Sequence, residues 1–176
     1  MSARPAPCKS TGESEGAPIA ESFPCIFCDI LAGRAEASFV YRDDRVAAFM
    51  TIGPVNPGHV LIVPVRHAAQ LADLDPVVGG AMFQLALRMG AAVRKSGLRC
   101  EGVNLLMNDG RAALQSVFHA HLHVVPRFAG DGFGFILPAD FTRNRPRRDL
   151  AEAAALIRTS LEDLTPQPPS RAGKGV

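Results

Sequence analysis

Apolar positions along the chain fall into short runs separated by Pro, Gly and Asp, with one long stripe at helical spacing. Residues 26–31 read as a short helix ended by Gly33. Residues 38–41 and 46–49 flank Asp43-Asp44 and predict a hairpin. The loop Pro54-Val55-Asn56-Pro57-Gly58 then feeds a strand rich in β-branched residues over 59–63. Asp75-Pro76 supplies an N-cap and a proline at the first helical position, and Val78, Met82, Leu85, Ala86, Met89 and Val93 follow at helical spacing. This main helix is expected to end near Gly97. Residues 103–107 return to a strand, 108–114 form a loop, and the alternation over 117–125 predicts a further strand. A last helix is expected over 148–161. Strands joined mainly by hairpin-sized loops, with one long helix and a C-terminal helix, give an α+β domain built on an antiparallel sheet.

Length and composition bound this picture. The chain has 176 residues, 47% apolar and 20% charged, which suits one folded core. Nineteen Lys and Arg against seventeen Asp and Glu leave a net charge of +2, too small for nucleic-acid or membrane binding by bulk electrostatics. The longest dense apolar run, Val60 to Val65, is far shorter than the roughly 20 residues that span a bilayer, so no transmembrane helix is expected. Residues 1–21 carry Pro, Ser, Gly and Ala without an apolar signal core and are expected to be a disordered leader. Residues 165–176 are expected to be a disordered tail, which leaves 22–164 as the folded domain. The cysteines at 8, 25, 28 and 100 form no dense framework, so they are expected to be reduced or metal-bound in a cytoplasmic protein.

The chemistry concentrates in five histidines. His59 and His67 bound one strand, and His119, His121 and His123 alternate in another. A strand's side-chain period of two would project the three imidazoles from one face, about 6.5–7 Å apart, with Phe118, Ala120, Leu122 and Val124 on the other. Six ring nitrogens at one place need partners. Two readings meet that need: a His-x-His metal site, or a neutral imidazole acting as a nucleophile on phosphorus with its other nitrogen held by a hydrogen bond. Gln115 and Ser116 upstream, with Asn108 and Asp109-Gly110 a loop away, suit phosphate oxygens and a leaving group better than a closed metal cage. Cys25-x-x-Cys28 has three readings of its own: a redox pair, half of a zinc site completed by His67 and His119, or two buried thiols. The basic segment from Arg143 to Arg148 is read as a solvated loop rather than a nucleic-acid contact. Cys8 and Cys100 are given no role.

The stretch Gln115-Ser116-Val117-Phe118-His119-Ala120-His121-Leu122-His123-Val124-Val125-Pro126-Arg127 resembles the signature of the histidine-triad family. Cys25-Ile26-Phe27-Cys28-Asp29-Ile30, Asp43-Asp44, Asn56-Pro57-Gly58-His59, Val63-Pro64 with His67, Asn108-Asp109-Gly110 and Gly130-Asp131-Gly132-Phe133 appear in the family's order. The resemblance implies a purine-nucleotide hydrolase or transferase that cuts at the α-phosphorus through a nucleotidyl-histidine, with no metal in the chemical step. It implies His121 as nucleophile, steadied by the His119 carbonyl, with His123 and Asn108 on the α-phosphate and Ser116 facing the leaving group. His59 and Gln115 would adjoin the phosphate, and Ile26, Phe27, Ile30, Phe49, Thr51 and Ile52 would lie against ribose and base. In the zinc-bearing branch of the family, Cys25, Cys28, His67 and His119 match the ligands of a structural zinc. A homodimer meeting through the long helix and a strand edge is also implied. Other outcomes for the chain are a non-catalytic nucleotide-binding protein and a metal hydrolase using the three alternating histidines.

Two positions depart from the family's common pattern. Thr51 stands where many members carry an Asp that grips the ribose, and Leu114 stands where a Gly precedes Gln-Ser. Either the loop at Leu114 is accommodated differently or its Cβ narrows the site.

Overall fold

In the computed structural model, which describes residues 25–164, the first hairpin shows how local chemistry sets the architecture. Strand β1 (Phe39–Arg42) turns into β2 (Val46–Met50) where the Asp43 carboxylate accepts from the backbone N–H of Arg45 and Val46, at 2.8 and 2.7 Å. The Tyr41 hydroxyl donates to its other oxygen at 2.9 Å. These bonds, the Val46 amide foremost, hold the Asp43 carboxyl below its usual range.

β2 pairs with β3 (Val60–Pro64), β3 with β5 (Leu122–Arg127), and β5 with β4 (Gly102–Met107), giving a five-stranded antiparallel sheet in the order β1-β2-β3-β5-β4. Both faces of its middle are covered. Val46, Ala48, Val60, Ile62, Leu122 and Val124 pack against helix α2 (Pro76–Lys95). Ala47, Phe49, Leu61 and Val63 pack against Phe27, Ile30 and Leu31 of the short helix α1 (Ile26–Leu31). Two-sided burial explains why β2 and β3 are nearly continuous apolar runs.

Helix α2 begins as expected, with Asp75 accepting from the Val77 N–H at 2.7 Å and Pro76 in the first turn. Met82, Leu85, Ala86, Met89, Gly90 and Val93 form its buried stripe. It ends at Lys95, followed by Gly97 at φ +85°. By length and composition this helix could cross a membrane, but its buried stripe packs on the sheet as that of a core helix does.

The strand expected over 117–125 starts only at Leu122. The β3–β5 ladder stops at Ile62↔Leu122, and farther along β3 stands Pro64, which has no N–H to donate. The preceding residues turn away: His119 N–H donates to the Val117 carbonyl at 2.9 Å, and Ala120 N–H to Ala68 at 2.7 Å. His119 therefore leaves the alternating row, and the three imidazoles do not share one face.

The described residues fall into two compact units that meet in sequence between Phe133 and Gly134. The first holds the sheet, α1 and α2. The second carries α3 (Arg147–Leu164), a little longer than expected and without a buried residue. In it Arg145 pairs with Asp140 at 2.6 Å, and Arg148 lies 3.5 Å from Asp149 and 3.7 Å from Glu152, which fits a solvated basic segment. The expected leader 1–21, the tail 165–176 and Cys8 lie outside the described residues.

Gly58, at φ +91°, closes the turn before β3 with no room for a side chain: a Cβ there would fall 2.9 Å from Leu98 Cδ1 and 3.1 Å from Pro126 Cγ. Gly58→Ala is expected to cost about 2 kcal/mol, combining left-handed strain with overpacking. By calorimetry this corresponds to a melting temperature lower by about 4–8 °C. An unchanged melting temperature would show that the turn relaxes freely.

Candidate active site and Cys-His cluster

Backbone groups decide which nitrogen of each buried histidine carries its proton. His121 Nδ1 donates to the His119 carbonyl at 2.7 Å, so its Nε2 keeps a free lone pair. At His59 the order is reversed: the Val55 N–H donates to Nδ1 at 3.2 Å, which leaves the proton on Nε2. That Nε2–H faces His123 Nδ1 at 2.9 Å and donates to it, so His123 carries its proton on Nε2. The rings of His121 and His123 lie 4.8 Å apart, and an edge of Phe27 packs 5.3 Å from His121. The result is one imidazole with an unengaged lone pair beside one N–H donor.

Burial keeps these rings neutral. His59 and His121 are both buried, and desolvation pushes their imidazoles below the ordinary value. For His123 burial comes first, with His121 and His59 adding to it, and its value falls to about 4.

His119 serves the second site. Its Nε2 donates to the Pro64 carbonyl at 2.9 Å, turning the Nδ1 lone pair toward Cys25, Cys28 and His67. Cys25 Sγ is 3.5 Å and Cys28 Sγ 3.6 Å from this nitrogen, Cys28 Sγ is 3.4 Å from His67 Nδ1, and the two Nδ1 atoms are 3.3 Å apart. Bonds of about 2.3 Å to sulfur and 2.0 Å to nitrogen around a tetrahedral zinc put donors about 3.3–3.8 Å apart, so this donor set fits such an ion. Burial, then the neighbouring Cys25 thiol, pushes the Cys28 thiol up to about 11. A cation at the centre would reverse that cost.

The loop between β4 and β5 carries the remaining expected residues. Asn108 follows the last ladder pair, Met107↔Leu122, which sets it beside the His121 end of β5. Gln115 is buried and fully occupied: its amide oxygen accepts from Gly110 N–H at 2.8 Å, and its nitrogen donates to the carbonyls of Ala69 at 2.7 Å and Val117 at 3.1 Å. It pins the loop instead of presenting a free amide. Ser116 is exposed. Leu114 is the one non-glycine residue with positive φ among the described residues, at +66°. It adopts the left-handed conformation a glycine would favour, and its side chain is 81% exposed, so its Cβ does not fill the site.

The expected base-lining group divides. Phe27, Ile30 and Phe49 are buried core residues, Ile26 is half exposed, and Ile52 is fully exposed. Thr51 Oγ1 accepts from Gly53 N–H at 3.3 Å in a local turn.

Sequence reasoning missed the clamp behind His59. Asn56 Nδ2 donates to the Pro126 carbonyl and to Asp131, each at 2.9 Å, while its own carbonyl accepts from His59 N–H at 3.1 Å. Arg127 grips the same Asp131 carboxylate with Nε at 2.6 Å and Nη2 at 2.8 Å, and also donates to Asn104 and to the Phe133 carbonyl. The guanidinium, with the Phe133 amide, holds the Asp131 carboxyl far below the usual carboxylate range. Asn56 and Asp131 stand in quoted motif stretches, but nothing in their spacing says that they meet.

Comparisons with known proteins identify the family and the fold. The HIT domain model matches residues 32–130. An uncharacterized HIT-like protein of Mycobacterium tuberculosis is 38% identical over 144 residues, covering 80% of this chain and 99% of that protein. The crystal structure of a zinc-bound histidine triad family protein from Mycobacterium smegmatis is 38% identical, with a TM-score of 0.60 over 80% of this chain and 94% of that one. That of a histidine triad nucleotide-binding protein from Candida albicans is 25% identical, with a TM-score of 0.71 over 81% and 100%. With a family match over more than half of the chain and a relative 38% identical along 80% of it, the chain belongs to the HIT family.

Proposed function

We propose that the chain is a nucleotide hydrolase or transferase that cuts a nucleoside 5′-phosphate derivative at its α-phosphorus. The observation that carries this reading is the His121 Nδ1–H bond to the His119 carbonyl, which leaves Nε2 as an unprotonated nucleophile. Attack by Nε2 forms a phosphorus–nitrogen bond as the bond to the leaving group breaks. The Nε2–H of His123 donates to a non-bridging oxygen whose charge grows in the transition state, and the Asn108 amide does the same. The leaving group takes a proton from solvent relayed through the exposed Ser116 hydroxyl, and the water of the second step returns its proton to solvent. Water then cleaves the phosphorus–nitrogen bond, releasing the nucleoside monophosphate and restoring neutral His121. The substrate class is a purine nucleoside phosphoramidate, dinucleoside polyphosphate or adenylate.

A zinc ion held by Cys25, Cys28, His67 and His119 would be structural, joining α1 to the turn before β5; no ligand position remains for substrate. The donor spacings and the zinc-bound mycobacterial relative support this. Thiolate ligation fits the reducing conditions of a cytoplasmic location. Exposed Phe83 and Leu87 on α2 are consistent with a homodimer meeting along that helix.

His121→Ala is expected to lower turnover of adenosine phosphoramidate and diadenosine polyphosphate by about 10⁴-fold or more while AMP binding changes little. In rapidly quenched reactions, intact mass spectrometry should find one added nucleotidyl group on the parent and none on the variant. Turnover that survives the substitution would end the covalent mechanism.

Metal analysis of protein purified under reducing conditions should return one zinc per chain, falling below about 0.2 in Cys28→Ser, and the stripped protein should melt at a lower temperature. Chelator added during a short assay should leave turnover unchanged.

Stability should also fall in mild acid. Folded His123 stays neutral down to about 4, whereas the unfolded chain protonates it near 6.5, so between these values the unfolded state binds more protons. Urea midpoints should therefore drop as pH is lowered from about 6.5 to about 4. In His123→Asn this drop should be smaller.

A further inference from the structure

The ring bond between His59 and His123 can be made in either direction. With a proton on His59 Nε2 it runs across 2.9 Å to His123 Nδ1; with a proton on His123 Nδ1 it runs back. Both states keep this one bond, yet they leave different groups on the other nitrogen of His123. The first leaves an N–H on Nε2, and the second leaves a lone pair. Nothing in the pair of rings itself chooses between them.

The choice is made at the other edge of His59. The Val55 N–H lies 3.2 Å from Nδ1, so the first state gains a hydrogen bond there. In the second state Nδ1 would carry a proton of its own, and two donors would face each other. One backbone amide thus favours one direction and opposes the other, and it can do so only while the loop before β3 keeps it beside the ring.

The next residue keeps it there. Asn56 is buried, and its Nδ2 donates to the Pro126 carbonyl and to Asp131 while its backbone carbonyl accepts from the His59 N–H. Asp131, with its side chain 3% exposed, is held in turn by the Arg127 guanidinium and by the Phe133 N–H at 3.1 Å. Arg127 carries the tie on to Asn104 of β4. The loop that bears Val55 is therefore fastened from its neighbour to two strand ends of the sheet.

We propose that Asn56 and Asp131 are positioning residues, which act through Val55 and His59 to keep the proton of His123 on Nε2. The chemical consequence rests on the hydrolase reading above, in which that N–H meets a phosphate oxygen as its charge grows. If the direction reverses, the His121–His123 row offers two lone pairs and no ring donor.

The full chain labelled with ¹⁵N-histidine, free of substrate, reports the direction in two-bond proton–nitrogen spectra, with signals assigned by His59→Asn and His123→Asn. The parent is expected to hold His123 about 90% in the Nε2–H form. Val55→Pro removes the amide proton, Asn56→Ala releases the loop, and Asp131→Asn removes the charge that anchors it. In each, the Nδ1–H form of His123 should rise to about one-third to one-half, as loss of one neutral hydrogen bond implies. A merely structural clamp would lower the melting temperature and leave these fractions alone. A parent with the His123 proton on Nδ1, or folded variants that keep the parent's fraction, overturn the proposal. Should Val55→Pro fail to fold, the other two variants and the parent spectrum decide.

Kinetics read the consequence separately. Across the variants, kcat for adenosine 5′-phosphoramidate should follow the Nε2–H fraction, falling by about 1.5- to 2-fold with KM unchanged. A kcat indifferent to that fraction overturns the chemical consequence. A parent without turnover refutes the hydrolase reading, and the spectra then decide the positioning alone.

Discussion

His119 joins two chemistries that the rest of the site depends on. Its carbonyl accepts from His121 Nδ1 and so decides which nitrogen of that ring is free, while its own ring donates to Pro64 and turns Nδ1 to the cysteines. The residue can do both because the chain joins the β3–β5 ladder only at Leu122. Had the strand run on through 117, that carbonyl and ring would have been held by strand geometry, and the link between the cluster and the His121–His123 row would be lost. Fixing α1 through Cys25 and Cys28 also fixes Phe27, whose ring edge packs against both His119 and His121. The cluster is thus placed to limit movement of the His121 ring through Phe27.

The opposite side of the site is held by polar bonds. Asn56, Asp131 and Arg127 tie the turn before β3 to the segment after β5. His59 emerges from that turn with its backbone N–H on the Asn56 carbonyl and its ring on the Val55 amide. These buried groups are satisfied, with no orphaned side-chain polar atom among the described residues, as a low-dielectric network requires. One consequence reaches the chemistry: the proton on His123 is placed by an amide of the loop before β3, through His59.

Local rules read well where the local signal was strong. The Asp43 hairpin, the Asp75-Pro76 start of α2 and its buried stripe follow from capping, turn chemistry and periodicity, and those same rules put His59 and His67 at opposite ends of β3. The start of β5 did not follow, because alternation over 117–121 satisfies the strand pattern while Pro64 limits the partner strand. Apolar character alone could not sort Ile52, which is exposed, from Phe49, which is core; neighbours in sequence fall on opposite sides of a surface that only the folded sheet defines. Leu114 and Gln115 show the same limit, since a left-handed leucine and an amide used up by three backbone groups leave no mark in residue type.

Counting lone pairs separates the catalytic reading from a metal hydrolase built on the triad. Of the four ring nitrogens of His121 and His123, one donates to a carbonyl, one accepts from His59, one bears the remaining N–H, and one keeps its lone pair. A catalytic metal needs about three protein lone pairs converging on it, and this row supplies one. A phosphoryl group asks for something different: one nucleophilic nitrogen and a nearby donor for the oxygens that gain charge. His119, the third member of the triad, has its lone pair turned to sulfur and to His67. The backbone amide of Val55 and the carbonyls of His119 and Pro64, by fixing protons on three rings, therefore divide five histidines into a row matched to phosphate and a pair matched to a metal.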